Sequence, residues 1–136
     1  MEEHFVGKVA QKAIIEHDGK VLIVRDPRDA TIWEIPGGRL NVKEQPAIAI
    51  KREVFEELGV EIEVHEIFYA EQFTYSEELG PHIYLFYRAT LKNPEKPFLL
   101  KQDEVLETRW ITKEQLNEQK IYDTFKHALN AYFTAR

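Results

Sequence analysis

"GRLNVKEQPAIAIKREVFEELGV", residues 38–60, contains a helix whose charges work against it. Pro46 suits a first helical turn and Gly59 a stop, so the spacing predicts a helix from Pro46 to about Leu58. Within it Glu53, Glu56 and Glu57 crowd into about one turn, and like charges at such spacings repel by a few tenths of a kcal/mol per pair. On a helical wheel Ala47, Ile50, Val54 and Leu58 form a core-facing stripe. Ile48 and Phe55 adjoin it, so the apolar arc predicts a helix wedged between two surfaces. The glutamates take the remaining arc, with small Ala49 among them and Arg52 at its edge. Such a face is either solvated or holds something positive, and the hard cations Mg²⁺ and Mn²⁺ take oxygen ligands and bridge to phosphates. The helix alone leaves both readings open.

Upstream, the β-prone runs Val9–Glu16 and Lys20–Arg25 flank Asp18-Gly19, a pair suited to a tight hairpin. A short strand is expected at Ile32–Ile35, ended by a bend at Pro36–Gly38 where the backbone can approach a ligand closely. Downstream, residues 61–75 and 82–91 read as strands separated by "SEELGP", and "EVLETRWI" (104–111) as another. Thr112 looks like the cap of a short helix, and Ile121, Phe125, Leu129 and Tyr132 make the apolar stripe of a last one. Strands interspersed with helices predict an α/β fold, a mixed sheet with helices packed on it. The expectation is one domain over residues 1–136.

The composition narrows the partners. Eighteen Lys and Arg against 24 Asp and Glu give a net charge of -6 over 136 residues, which argues against general nucleic-acid binding. A nucleotide-type small molecule carried through a metal remains compatible. There is no cysteine and hence no thiolate chemistry. The acidic start "MEEHFVGK" is unlike a signal peptide, and no apolar run reaches spanning length, so no membrane partner and a cytoplasmic address are expected.

Read from Gly38, five residues lead to Glu44, seven more to Arg52-Glu53-Val54, then Phe55, Glu56-Glu57, Leu58 and Gly59-Val60. This resembles the Nudix box at every specified position, including apolar Val54 and Val60, a match far beyond chance at ordinary composition. "WEIPGG" before it and "RWITKEQL" near the C-terminus are also similar to segments of that family. The resemblance implies an α/β/α sandwich with a mixed sheet between helices. It also implies metal-dependent hydrolysis of a nucleoside diphosphate linked to another group, with Mg²⁺ as cofactor and Mn²⁺ able to substitute.

Residue by residue, it implies that Glu53, Glu56 and Glu57 bind metal, with Glu53 taken as the base and Glu56 and Glu57 as principal ligands. Arg52 would orient a neighbouring glutamate, Glu44 would pair with Arg52 or touch a metal-bound water, and Gly38 would offer its carbonyl to the metal. Glu104, six residues before Trp110, is similar in placement to the later-loop glutamate of MutT-like members and is a second candidate base. Arg25 and Arg39 are candidate phosphate contacts. Trp33, Tyr75 and Tyr84 are candidate stacking partners for a base, with packing as the alternative. A nucleoside triphosphate is the expected substrate. Dinucleoside polyphosphates, ADP-ribose, nucleotide sugars and a catalytically silent nucleotide sensor or interaction domain are the alternatives. A homodimer is admissible.

Overall fold

The computed structural model describes residues 2–74 and 76–135. Tyr75 lies outside them. Strands β1 (Lys8–His17) and β2 (Lys20–Arg25) form the expected hairpin. Its turn places Asp18 at φ 51° and Gly19 at φ 76°, the paired left-handed conformation that such two-residue loops require and that aspartate and glycine tolerate. Strands β3 (Trp33–Glu34), β4 (Gly37–Arg39), β5 (Ile62–Thr74), β6 (Pro81–Leu91) and β7 (Glu107–Ile111) complete one mixed seven-stranded sheet among the described residues.

The pairing of β1 creates an opening. One edge runs parallel to β6 from Lys8 to Ile15. The other is shared: β4 pairs with Ala10–Lys12, and β2 joins only at Glu16 and His17. Strand β2 is therefore free to diverge with its other partners, β3 and β7. The gap between β1–β4 and β2 is where the cleft described below lies.

Alternation along the strands feeds two apolar layers, as period-two side chains must. Ile14, Val21, Ile23, Tyr84 and Phe86 pack with Phe125, Ala128, Leu129 and Tyr132 of α2 (Asp123–Thr134). On the opposite face Ala13, Ile15, Leu22, Tyr87 and Ala89 pack with Ile50, Val54 and Leu58 of α1 (Pro46–Leu58). The result is the α/β arrangement expected, a mixed sheet between helices. Among the described residues no helix is long and apolar enough to cross a membrane.

Several expectations need correction. Pro36–Gly38 does not simply end a strand, because Gly37 and Gly38 belong to β4 and pair with Lys12 and Gln11. The last strand begins at Glu107 rather than 104, since the amides of Glu104 and Val105 turn back to Lys101 O. Thr112 does exchange hydrogen bonds with Gln115, but the turn that follows is a single 3₁₀ turn, Leu116–Glu118.

Helix α1 has the expected ends, with Gly59 left-handed at φ 68°, but the two residues expected to meet a second surface are left uncovered. Ile48 and Phe55 are 63% and 52% exposed. Ala49 is buried in place of Ala47, whose first turn is tied down by a polar bond, from Gln11 Nε2 to Pro46 O at 3.1 Å.

Candidate active site

Rotation of α1 decides the site. Its sheet-facing side carries Ala49, Ile50, Val54 and Leu58, and at 100° per residue Glu53 and Glu57 fall inside that same arc. Both acids therefore point toward the sheet, where they line a cleft of about 670 Å³. Other parts of its wall are Lys12 on β1, Glu34 on β3, Gly37–Arg39 on β4, and Asp103 and Glu104 before β7.

Two consecutive glycines make room for two carboxylates. Gly37 N–H donates to Glu57 Oε1 at 3.1 Å, and at φ 138° this position suits glycine. A Cβ on Gly38 would stand 2.6 Å from Glu53 Oε2, so the missing side chain is what lets that carboxylate lie flat against β4.

Arg52 organises the remaining acids. Its Nε and Nη2 donate to the two oxygens of Glu44 at 2.6 and 3.0 Å, a fork-to-fork pair of the strong kind. Nη2 also reaches Glu53 Oε1 at 3.1 Å, and Nη1 reaches Glu56 Oε2 at 3.0 Å. One guanidinium thus restrains three carboxylates. Its presence holds the Glu44 carboxyl below the usual carboxylate range.

Glu53 and Glu57 titrate in the opposite sense. Burial raises the Glu53 carboxyl, with Arg52 opposing and Glu56 and Glu104 adding to the rise. Burial pushes Glu57 up to about 8, against Lys12 and the Gly37 amide and with the charges of Glu53 and Glu104. Three acids, two of them desolvated, share one field with too little positive charge to balance it. That is a chemical deficit a dication would fill. Among the described residues no three His, Asp or Glu side chains form a ready-made cage. The donor set fits an ion of the Mg²⁺ type, which binds through one or two carboxylates with waters and substrate phosphates completing its shell.

The other candidates divide. Glu104 lines the cleft while its Oε1 accepts from Lys101 Nζ at 3.2 Å. Arg39 stands exposed at the rim. Tyr84 touches the cleft but is 4% exposed and packs edge-on to Phe125. Glu56 does not line the cleft and stays with Arg52.

Arg25 and Trp33 do not line the cleft either. Arg25 ties Glu107 of β7 to the Ala30 carbonyl. Trp33 is 5% exposed, in the core, beneath the guanidinium groups of Arg25 and Arg109 at 5.1 and 4.6 Å. Both serve packing, which corrects their expected place at the substrate. Sequence reasoning passed over Lys12 and Glu34. A lysine amid the apolar run Val9–Ile15 was the available signal, because lysine is seldom fully buried without a reason.

A family model, "NUDIX domain", matches residues 8–132. A "MutT-like protein" of Streptomyces ambofaciens is 41% identical over 54 residues, 40% of this chain. The "CTP pyrophosphohydrolase" of Escherichia coli (strain K12) is 44% identical over 57 residues, also 40% of this chain. The matches span only 34% and 42% of those two relatives' own lengths. Among solved structures, a "NUDIX hydrolase from Nitrosomonas europaea" superposes with a TM-score of 0.79 over 96% of this chain and 90% of that one, at 18% identity. At that identity the likeness speaks for the fold.

Proposed function

Because this chain belongs to the NUDIX domain family, as the match over residues 8–132 shows, we propose that it hydrolyses a pyrophosphate linkage in a nucleoside diphosphate joined to another group, with a nucleoside triphosphate as first substrate. The observation that carries the reading is the convergence of Glu53 and Glu57, with Glu104, on one cleft beside two glycines. The partial likeness to a CTP pyrophosphohydrolase favours a triphosphate.

Glu57 would hold the divalent ion, with the Gly38 carbonyl and, once released from Arg52, Glu56. When bound, Mg²⁺ or Mn²⁺ supplies charge neutralisation at phosphate oxygens and acidification of water. The chain's own part is positioning and proton handling. Glu53 takes the proton from the attacking water; burial raises its basicity, which brings it nearer the range a general base needs. Glu104, across the cleft, is the competing base. Arg52 fixes the carboxylate plane of Glu53 and, through Glu44, is itself kept from swinging away.

The test is turnover with Mg²⁺ across nucleoside triphosphates, dinucleoside polyphosphates, nucleotide sugars and ADP-ribose, repeated with Glu53→Gln and Glu104→Gln. We expect the triphosphates to give the highest kcat/KM and Glu53→Gln to lose the larger factor in kcat, of the order of 10²–10⁴ for a lost base. Tight binding without product throughout would leave a nucleotide sensor instead. A larger loss in Glu104→Gln would move the base to the loop before β7.

A further inference from the structure

Lys12 plays no part in the chemistry above. It lies on β1, 8% exposed, and lines the cleft. Burying an ammonium is costly unless it is paired and hydrogen-bonded, and the three donors of this one are thinly served. Nζ donates to Gly37 O at 3.4 Å, stands 3.8 Å from Glu34 Oε1 and lies 5.2 Å from the centre of the Phe125 ring. The first distance is at the long limit of a hydrogen bond and the second exceeds it. Gly37 meanwhile gives its N–H to Glu57, so ammonium and carboxylate flank a single residue. Among the described residues two other cations line the cleft. Arg28 is engaged by Asp26 through its Nε at 2.9 and 3.0 Å, and Arg39 is exposed at the rim. Lys12 is the one held within the wall.

We propose that Lys12 is a substrate-binding residue whose ammonium contacts a phosphate oxygen of the bound diphosphate directly, beside the carboxylates and without a metal between them. The proposal rests on the reading of this cleft as a diphosphate site and adds to it a metal-independent contact. Lysine is a compact charge with three rotatable donors, and a phosphate oxygen offers the close acceptor that Glu34 and Gly37 do not. The contact also gives a chain of net charge -6 a place for an anion among acids. A purely structural Lys12, counter-ion to Glu34 and Glu57, would influence stability but not anion affinity.

The experiment is calorimetric titration of imidodiphosphate, a diphosphate that resists hydrolysis, into wild type, Lys12→Met and Lys12→Arg, in EDTA and again with Mg²⁺. Methionine keeps most of the apolar stem and removes the charge. Loss of a hydrogen bond to a charged group should weaken binding in EDTA about ten- to a hundredfold in Lys12→Met, with Lys12→Arg recovering part. Equal affinity of wild type and a cooperatively melting Lys12→Met overturns the proposal, as does a wild type that binds no imidodiphosphate in EDTA. Glu34→Gln provides a variant that leaves Lys12 in place. It frees the ammonium from its competing carboxylate and removes a negative charge from the cleft wall, so binding should tighten severalfold, and by more with Lys12 present than in Lys12→Met; equal gains in the two backgrounds refute the contact. In turnover, Lys12→Met should raise KM by a similar factor and lower kcat less. Unchanged KM sinks the role of Lys12 alone. A wild type that turns over nothing, yet binds imidodiphosphate through Lys12, supports the contact and removes hydrolysis.

Discussion

Replacing Glu57 with glutamine should stabilise the metal-free protein, and only above the pH at which an ordinary glutamate ionises. A glutamate carboxyl ordinarily titrates near 4.5, and in the fold this one is pushed up to about 8. Between these values the folded chain keeps a proton that the unfolded chain has released. Stability must then fall as pH rises through the window and level off above it. Each pH unit of that window is worth about 1.4 kcal/mol, so crossing all of it costs about 3 to 5 kcal/mol, or on the order of 10 to 18 °C in Tm for a domain of this size. Glutamine keeps an oxygen for the Gly37 N–H and carries no charge, so its curve lacks this component. Glu53, raised in the same sense, adds a slope of the same sign in both proteins. Glu44 and Asp26, whose carboxyls are lowered by Arg52 and Arg28, act oppositely and lose their contribution only in acid. Thermal melts in EDTA from pH 4.5 to 9 should show two curves that meet at the acid end, separate steadily and run parallel above pH 8. A gap that is constant with pH, or absent at pH 8, would refute the burial of an uncompensated carboxyl at this position. Mn²⁺ added at pH 8 should then raise the Tm of wild type more than that of the variant.

Three further substitutions test the geometry around it. Gly38→Ala would set a methyl 2.6 Å from Glu53 Oε2; displacement of the carboxylate by about an ångström should cut kcat about a hundredfold, while far-UV circular dichroism stays unchanged. Arg52→Lys offers one point charge where a fork now spans Glu44, Glu53 and Glu56, so kcat should fall at least tenfold with stability altered by no more than about 1 kcal/mol, these pairs being partly solvated; full activity in the lysine variant would show the fork to be idle. Trp33→Ala removes a core side chain 5% exposed and should cost about 3 to 5 kcal/mol in denaturant titrations. Its KM, measured where it remains folded, should match wild type, and a large rise would return the indole to the substrate.

What could be read in the sequence was local. The hairpin at Asp18-Gly19 and both ends of α1 follow from backbone preferences of a few residues, and the structure has them where they were expected. The misreading of α1 has another cause: a wheel gives the relative phase of residues around a helix but not which phase meets the sheet. The apolar residues of α1 predict cover over Ile48 and Phe55 and give the glutamates the remaining arc, either solvated or facing a cation. The structure keeps Ile50, Val54 and Leu58 in the core as expected, but it leaves Ile48 and Phe55 more than half exposed and sets Glu57 inward, desolvated against Gly37. By transfer energies alone that orientation is the worse one, since it leaves an aromatic in water and takes carboxylates out of it. Local rules are expected to fail where function has been built in, and here the failure has a sign. An acidic stripe turned inward, against glycines that exclude any side chain of their own, with a thinly bonded lysine on the far side of Gly37, leaves a space short of both a cation and an anion. Under the function proposed above, a metal-bound diphosphate would supply both at once, and a solvated helix face would need neither.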